Sequence, residues 1–165
     1  MDLQPLLDKG WIVTLHVSAA TSATVLGAFV LWRRKGGRWH RIAGSIWVSL
    51  MLVVSFTAFG ISSFRTFGPF SPIHILAVTT PICLFTAIRA ARAGNIATHR
   101  ATMQAIYVGG CIVAGAFTLA PGRTLHKVLF GRMDAVLIDG PWWILPLTMA
   151  ALVSLWFSRR ERARR

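Results

Sequence analysis

The sequence predicts an all-α integral membrane protein with five transmembrane helices, the first four forming a bundle from two parallel helical-hairpin repeats. Three observations predict it. The chain is 55% hydrophobic with only five carboxylates, and its mean hydropathy is +0.59, which leaves too little polar surface for a soluble domain. Its apolar residues gather into runs close to the ~20 residues that a helix needs to cross a bilayer. Its eighteen lysines and arginines lie almost wholly between those runs, as topological and interfacial charge does. The net charge of +13 therefore points to anionic lipid and away from nucleic acid.

The predicted spans are Trp11–Trp32, Ile42–Phe64, Pro72–Ala91, Ala101–Pro121 and the shorter Trp142–Phe157. Lys9-Gly10 precedes the first, Gly36-Gly37 separates the first two, Gly68-Pro69 introduces the third, Gly94-Asn95 the fourth, and Gly140-Pro141 the fifth. Tryptophans and phenylalanines mark several ends, among them Trp11, Trp32, Trp39, Phe67, Trp142 and Trp156, as in an aromatic belt at headgroup level. One membrane domain over residues 1–165 follows: a first hairpin (1–64), a second (65–121), an outer interfacial loop (122–141), and a fifth helix with a basic tail (142–165). The opening MDLQPLLDKG lacks a basic n-region and does not read as a cleaved signal peptide.

Charge sets the orientation. Thirteen of the eighteen lysines and arginines fall in the 33–41 turn, around the 89–100 turn, or in the C-terminal tail, against Lys9, Arg65, Arg123, Lys127 and Arg132 on the other side. The positive-inside rule then predicts a cell (inner) membrane protein with its N-terminus outside and its C-terminus in the cytoplasm. The tail SRRERARR is placed to bind anionic lipid at that face.

The two hairpins align as LHVSAATSATVLGAF…WHRIAGSIWV against IHILAVTTPICLF…THRATMQAIYV. His16 precedes His40 by 24 residues and His74 precedes His99 by 25, which brings four of the five histidines into register. His16 lies about 7 Å along its helix from Trp11, at about 1.5 Å per residue. His16 and His74 are thereby expected near the outer face, and His40 and His99 near the cytoplasmic face.

Ionisable groups in a membrane are costly and mark function. Paired imidazoles from facing helices are axial ligands for six-coordinate b-type haem. On this expectation His16/His74 hold an outer haem b and His40/His99 an inner one, with electrons hopping between them and at most an electron-transfer oxidoreductase activity. Ala20, Ala23 and Gly27 leave room beside His16, and Gly44 beside His40. Arg41 and Arg100, with Arg38 and Lys35, stand ready for propionates. A redox partner or membrane subunit is then implied. The alternative is a non-redox membrane protein, an assembly or interaction factor or a small-solute permease, whose His and Arg residues bind lipid headgroups or stabilise helix ends.

The segments KGGRWHRIAG, SFRTFGPFSPIHIL and NIATHRATM resemble an uncharacterised family of bacterial multi-pass membrane proteins, domain-of-unknown-function family 2306. The resemblance runs over residues 10 to 132 and implies architecture, with no activity attached. A looser likeness, in topology alone, is to transmembrane di-haem b-type cytochromes of the ascorbate-reducible kind. There one haem sits between the first and third core helices and the other between the second and fourth; the histidine spacing within each hairpin here is shorter.

Other chemistry is sparse. Asp2, Asp8, Asp134, Asp139 and Glu161 all lie outside the predicted spans, which argues against a carboxylate proton relay or a cation-coupled transporter. Ser and Thr in the spans lack a base partner and are expected to bond their own helix backbone. Cys83 and Cys111 sit within apolar runs as small buried side chains. PGRTLHKVLFGRMD reads as an interfacial helix with His126 at its surface, and no phosphate-cradling glycine motif occurs.

Overall fold

The computed structural model describes residues 8–61 and 72–119 and the single positions 126, 128, 148, 151 and 155. Among the described residues four helices are long and apolar enough to cross a membrane: α1 (Trp11–Trp32), α2 (Arg38–Ala58), α3 (Pro72–Arg92) and α4 (Ile96–Thr118). The expectation of five is thereby corrected to four. The expected fifth helix, Trp142–Phe157, lies outside the described residues but for positions 148, 151 and 155. The chain divides into two compact units, Lys9–Tyr107 and a second comprising Met1–Asp8 and Val108–Arg165.

In the Lys9–Tyr107 unit, α1 packs on α2, α2 on α3, and α3 on the start of α4. Both returning helices begin a turn before their apolar runs. Gly37 caps α2, and the Gly37 carbonyl accepts from Arg41 N at 3.2 Å. Asn95 caps α4, its side chain accepting from Thr98 N at 3.1 Å. An apolar run marks what the bilayer covers, whereas caps mark where the helix starts, and long basic side chains bridge the difference by reaching toward water. His40, Arg41, His99 and Arg100 consequently stand on the first turns of α2 and α4. Between α3 and α4 the chain reverses through Gly94 at φ 76°, while Asn95 N returns to Ala90 O at 2.9 Å.

Helix α1 buries Ala19, Ala23 and Gly27, and α2 buries Trp47, Met51 and Ser55, each at a spacing of four. The large indole of Trp47 enters the groove left by the small stripe, and Nε1 donates to Ala23 O at 2.9 Å. Tyr107 reaches the same stretch, its hydroxyl donating to Thr24 O at 3.2 Å. A Cβ on Gly27 would lie 2.5 Å from Trp47 Nε1 and 2.7 Å from the Tyr107 ring. Helix α3 buries a different pattern: His74, Ala77, Thr80, Leu84 and Ala87.

That difference also corrects the hairpin-repeat expectation. With His16 set against His74, Gly27 falls opposite Phe85, which is 62% exposed. The two halves share apolar runs and histidine spacing but not a packing seam. Pro81 lies inside α3, where a membrane helix tolerates the missing N–H.

Helix α4 is α-helical over Ile96–Ile106, π-helical over Tyr107–Val113 and α-helical again over Ala114–Thr118. In the second unit His126 Nδ1 donates to Leu119 O at 3.1 Å, and Val128 is buried. The remainder of the expected interfacial loop 122–141 lies outside the described residues.

Candidate functional site

Four of the five histidines divide between two ends of the Lys9–Tyr107 unit. At the end holding the α1 start, His16 Nδ1 lies 2.9 Å from Thr57 Oγ1 on α2. Thr57 Oγ1 also lies 2.6 Å from Val53 O and 3.2 Å from Val54 O; with its one proton given to either carbonyl, Thr57 accepts and His16 Nδ1 donates. His74 is 8% exposed and its ring centroid lies 5.9 Å from that of Phe59, tilted by 47°.

The other end is formed by the α1–α2 turn, the α2 start and the α3–α4 turn. His99 Nδ1 donates to Ala87 O on α3 at 3.0 Å. His40 is half-buried; its Nδ1 is buried and makes no hydrogen bond. His99 on α4 and Lys35 in the α1–α2 turn lie near enough to His40 to act on it electrostatically, second to burial itself. Arg100 is half-buried with its Nε shielded from solvent, and Arg41 is exposed. Lys35 Nζ donates to Leu31 O at 3.0 Å. The Arg33 guanidinium lies 5.0 Å from the Phe29 ring and that of Arg89 5.7 Å from the Phe85 ring. Neither α2 nor α4 carries an acidic residue in its first turn. Among the described residues eight of the nine lysines and arginines gather at this end, with Lys9 alone at the other.

The expected haem sites, His16/His74 and His40/His99 with Arg41 and Arg100 on propionates, are not what the packing provides. The described residues contain no group of three or more His, Cys, Asp or Glu placed to hold a metal. The small stripe expected to admit a macrocycle beside His16 is filled by Trp47 and Tyr107, which bond α1 carbonyls there. The buried members of that stripe are Ala19, Ala23 and Gly27, and Ala20 is only half-buried. His74 has an aromatic ring beside it, and His16 is bonded to α2. The residues do not fit a haem, and the electron-transfer expectation falls with it.

Residues 13–157 match a family model described as "Predicted membrane protein (DUF2306)". The chain belongs to the DUF2306 family. No curated protein and no solved structure matches it. This DUF2306 protein is a multi-pass membrane protein, and its four described helices account for that description.

Two residues that organise the DUF2306 helices were not singled out by sequence pattern: Trp47 and Tyr107. The signal was present in the chain's single tyrosine and in a large residue facing a small stripe. Side-chain hydroxyls behave as expected at Thr24, Ser55 and Thr79, which bond carbonyls four residues back. Thr57 does so too, and serves His16 besides. Cys111 is buried and Cys83 half-buried. An open groove lined by Thr21, Ser22, Val25, Leu26 and Phe29 lies along α1 and holds no ionisable group.

Proposed function

We propose that this DUF2306 protein is a non-redox membrane protein whose basic end holds anionic lipid headgroups at the cytoplasmic face, as an assembly or interaction factor would. The observation that carries the reading is that two His-Arg pairs, His40-Arg41 and His99-Arg100, stand with Lys35 at one end of the unit, on first turns of α2 and α4 that contain no carboxylate. Guanidinium and imidazolium groups match phosphate oxygens in geometry and charge, and helix N-termini favour anions. Crowding of cations onto one end supports an orientation with that end in the cytoplasm.

The test is lipid selectivity. Protein extracted in mild detergent is examined by native mass spectrometry for retained phosphatidylglycerol and phosphatidylcholine. Preferential retention of phosphatidylglycerol is expected. Arg41→Gln and Arg100→Gln should each weaken it by about 1 kcal/mol, roughly fivefold. Equal retention of both lipids, unchanged in the variants, would overturn the reading. Orientation is tested with a membrane-impermeant amine reagent on intact cells, which should label Lys9 and spare Lys35.

A further inference from the structure

Resting on that headgroup reading, we infer that the first turns of α2 and α4 form a proton-linked site, in which His40 takes up a proton as an anionic phosphodiester headgroup binds. His40 has its Nδ1 poorly served in either protonation state. Neutral, it leaves Nδ1 buried and without a hydrogen bond, a condition that native structures avoid. Protonated, it presents two donors in a cluster of cations. Lys35 from the α1–α2 turn and His99 from α4 act on it, and Arg41 follows it on α2. Helix α3 ends in Arg89, drawn back onto Phe85, and Arg92. The one described carboxylate, Asp8, precedes the opposite end of α1.

An anionic oxygen resolves the charged state, because it accepts from the imidazolium and offsets the surrounding charge, and proton uptake then gives Nδ1 the hydrogen bond that the neutral ring lacks. Binding and protonation are then reciprocal: the anion favours the charged ring, and the charged ring favours the anion. Imidazole titrates between about pH 5 and 8, where a phosphodiester keeps a constant charge. Arg41 and Arg100 hold the phosphate at any pH in this range, and His40 supplies the pH dependence.

The full chain in non-ionic detergent is titrated with short-chain phosphatidylglycerol, short-chain phosphatidylcholine and inorganic phosphate, following thermal unfolding, at about pH 5.5 and about pH 8. The wild type should bind phosphatidylglycerol roughly tenfold more tightly at the lower pH. His40→Gln should bring that ratio to about one while binding persists. His40→Lys, charged at both pH values, should bind tightly at both. His99→Gln and Arg41→Gln should keep the ratio, the latter with weaker binding throughout. A pH-independent wild type, or a ratio that survives in His40→Gln, would overturn the proton linkage and leave headgroup binding standing. No preference for phosphatidylglycerol over phosphatidylcholine at either pH would instead remove the headgroup reading itself. Inorganic phosphate reproducing both affinity and ratio would overturn the lipid as the source of the anion.

Discussion

Trp47 Nε1 donates a 2.9 Å hydrogen bond to the carbonyl of Ala23, joining α2 to α1 near the middle of both helices. An indole buried in an apolar setting needs a partner for its N–H, and here the partner is backbone. That carbonyl is reachable because Gly27, one turn on, lets the ring come close. Packing and hydrogen bonding thus fix the same register, one through volume and the other through direction.

The two contributions separate by mutation. Trp47→Phe keeps an aromatic ring in the groove and deletes the donor; the loss should be about 0.5–1.5 kcal/mol, toward the lower end in a membrane protein. Trp47→Ala removes the ring as well and should cost about 3–5 kcal/mol. Unfolding by SDS in mixed micelles measures both. Equal losses would mean that the hydrogen bond, not the ring, holds the hairpin.

Gly27 and Gly109 should answer differently to the same substitution. A Cβ on Gly27 meets Trp47 Nε1 at 2.5 Å, whereas one on Gly109 meets nothing within 4 Å. Gly27→Ala is expected to destabilise by about 1–3 kcal/mol through overpacking. Gly109→Ala should stay within about 0.5 kcal/mol of the wild type. A tolerated Gly27→Ala in the SDS assay would show that the seam is looser than this contact requires.

How far the sequence led depends on the kind of information each residue carries. Trp11–Trp32 was legible to the residue, because Gly10 and Arg33 bound an uninterrupted apolar run. The starts of α2 and α4 were placed late, since Arg38–Arg41 and Ile96–Arg100 are helical yet polar, and hydropathy cannot see a capping glycine or asparagine. The histidine spacing was real, but spacing is blind to rotation about the helix axis. His74 joins the α3 seam with Ala77 and Leu84, and Gly27 joins the α1 seam while its counterpart Phe85 faces outward. The stripe of small residues looked the same whether it was to admit a macrocycle or a tryptophan. Only the identity of the facing residue, Trp47, decided between them. At the basic end the sequence supplied the members, His40, Arg41, His99 and Arg100, and the fold added that one ring nitrogen of His40 goes unbonded.

The contact between His16 and Thr57 ties the His16 tautomer to the Thr57 hydroxyl proton. With the Thr57 proton given to Val53 O, His16 carries its own on Nδ1. Nitrogen-15 NMR of selectively labelled histidine should assign the Nδ1–H form to His16. Thr57→Val should change that signal and lower stability by about 0.6 kcal/mol, the average for such bonds between membrane helices. An Nε2–H signal in the wild type would place the hydrogen bond the other way round.

The filled seam also bears on colour. A haem between α1 and its neighbours would have to displace Trp47 and Tyr107, breaking their bonds to Ala23 O and Thr24 O and exposing the close contacts around Gly27. Each step opposes insertion, since buried polar edges would lose partners and a packed seam would open. Protein purified from cells fed a haem precursor is therefore expected to show no Soret band, and no sharp α-band after dithionite. Trp47→Ala is the sensitive control, because it empties the groove while leaving all four histidines in place. If the wild type were coloured in stoichiometric amount, the α1–α2 seam would have to be open in the protein. The Trp47→Phe and Gly27→Ala stability losses would then be absent as well.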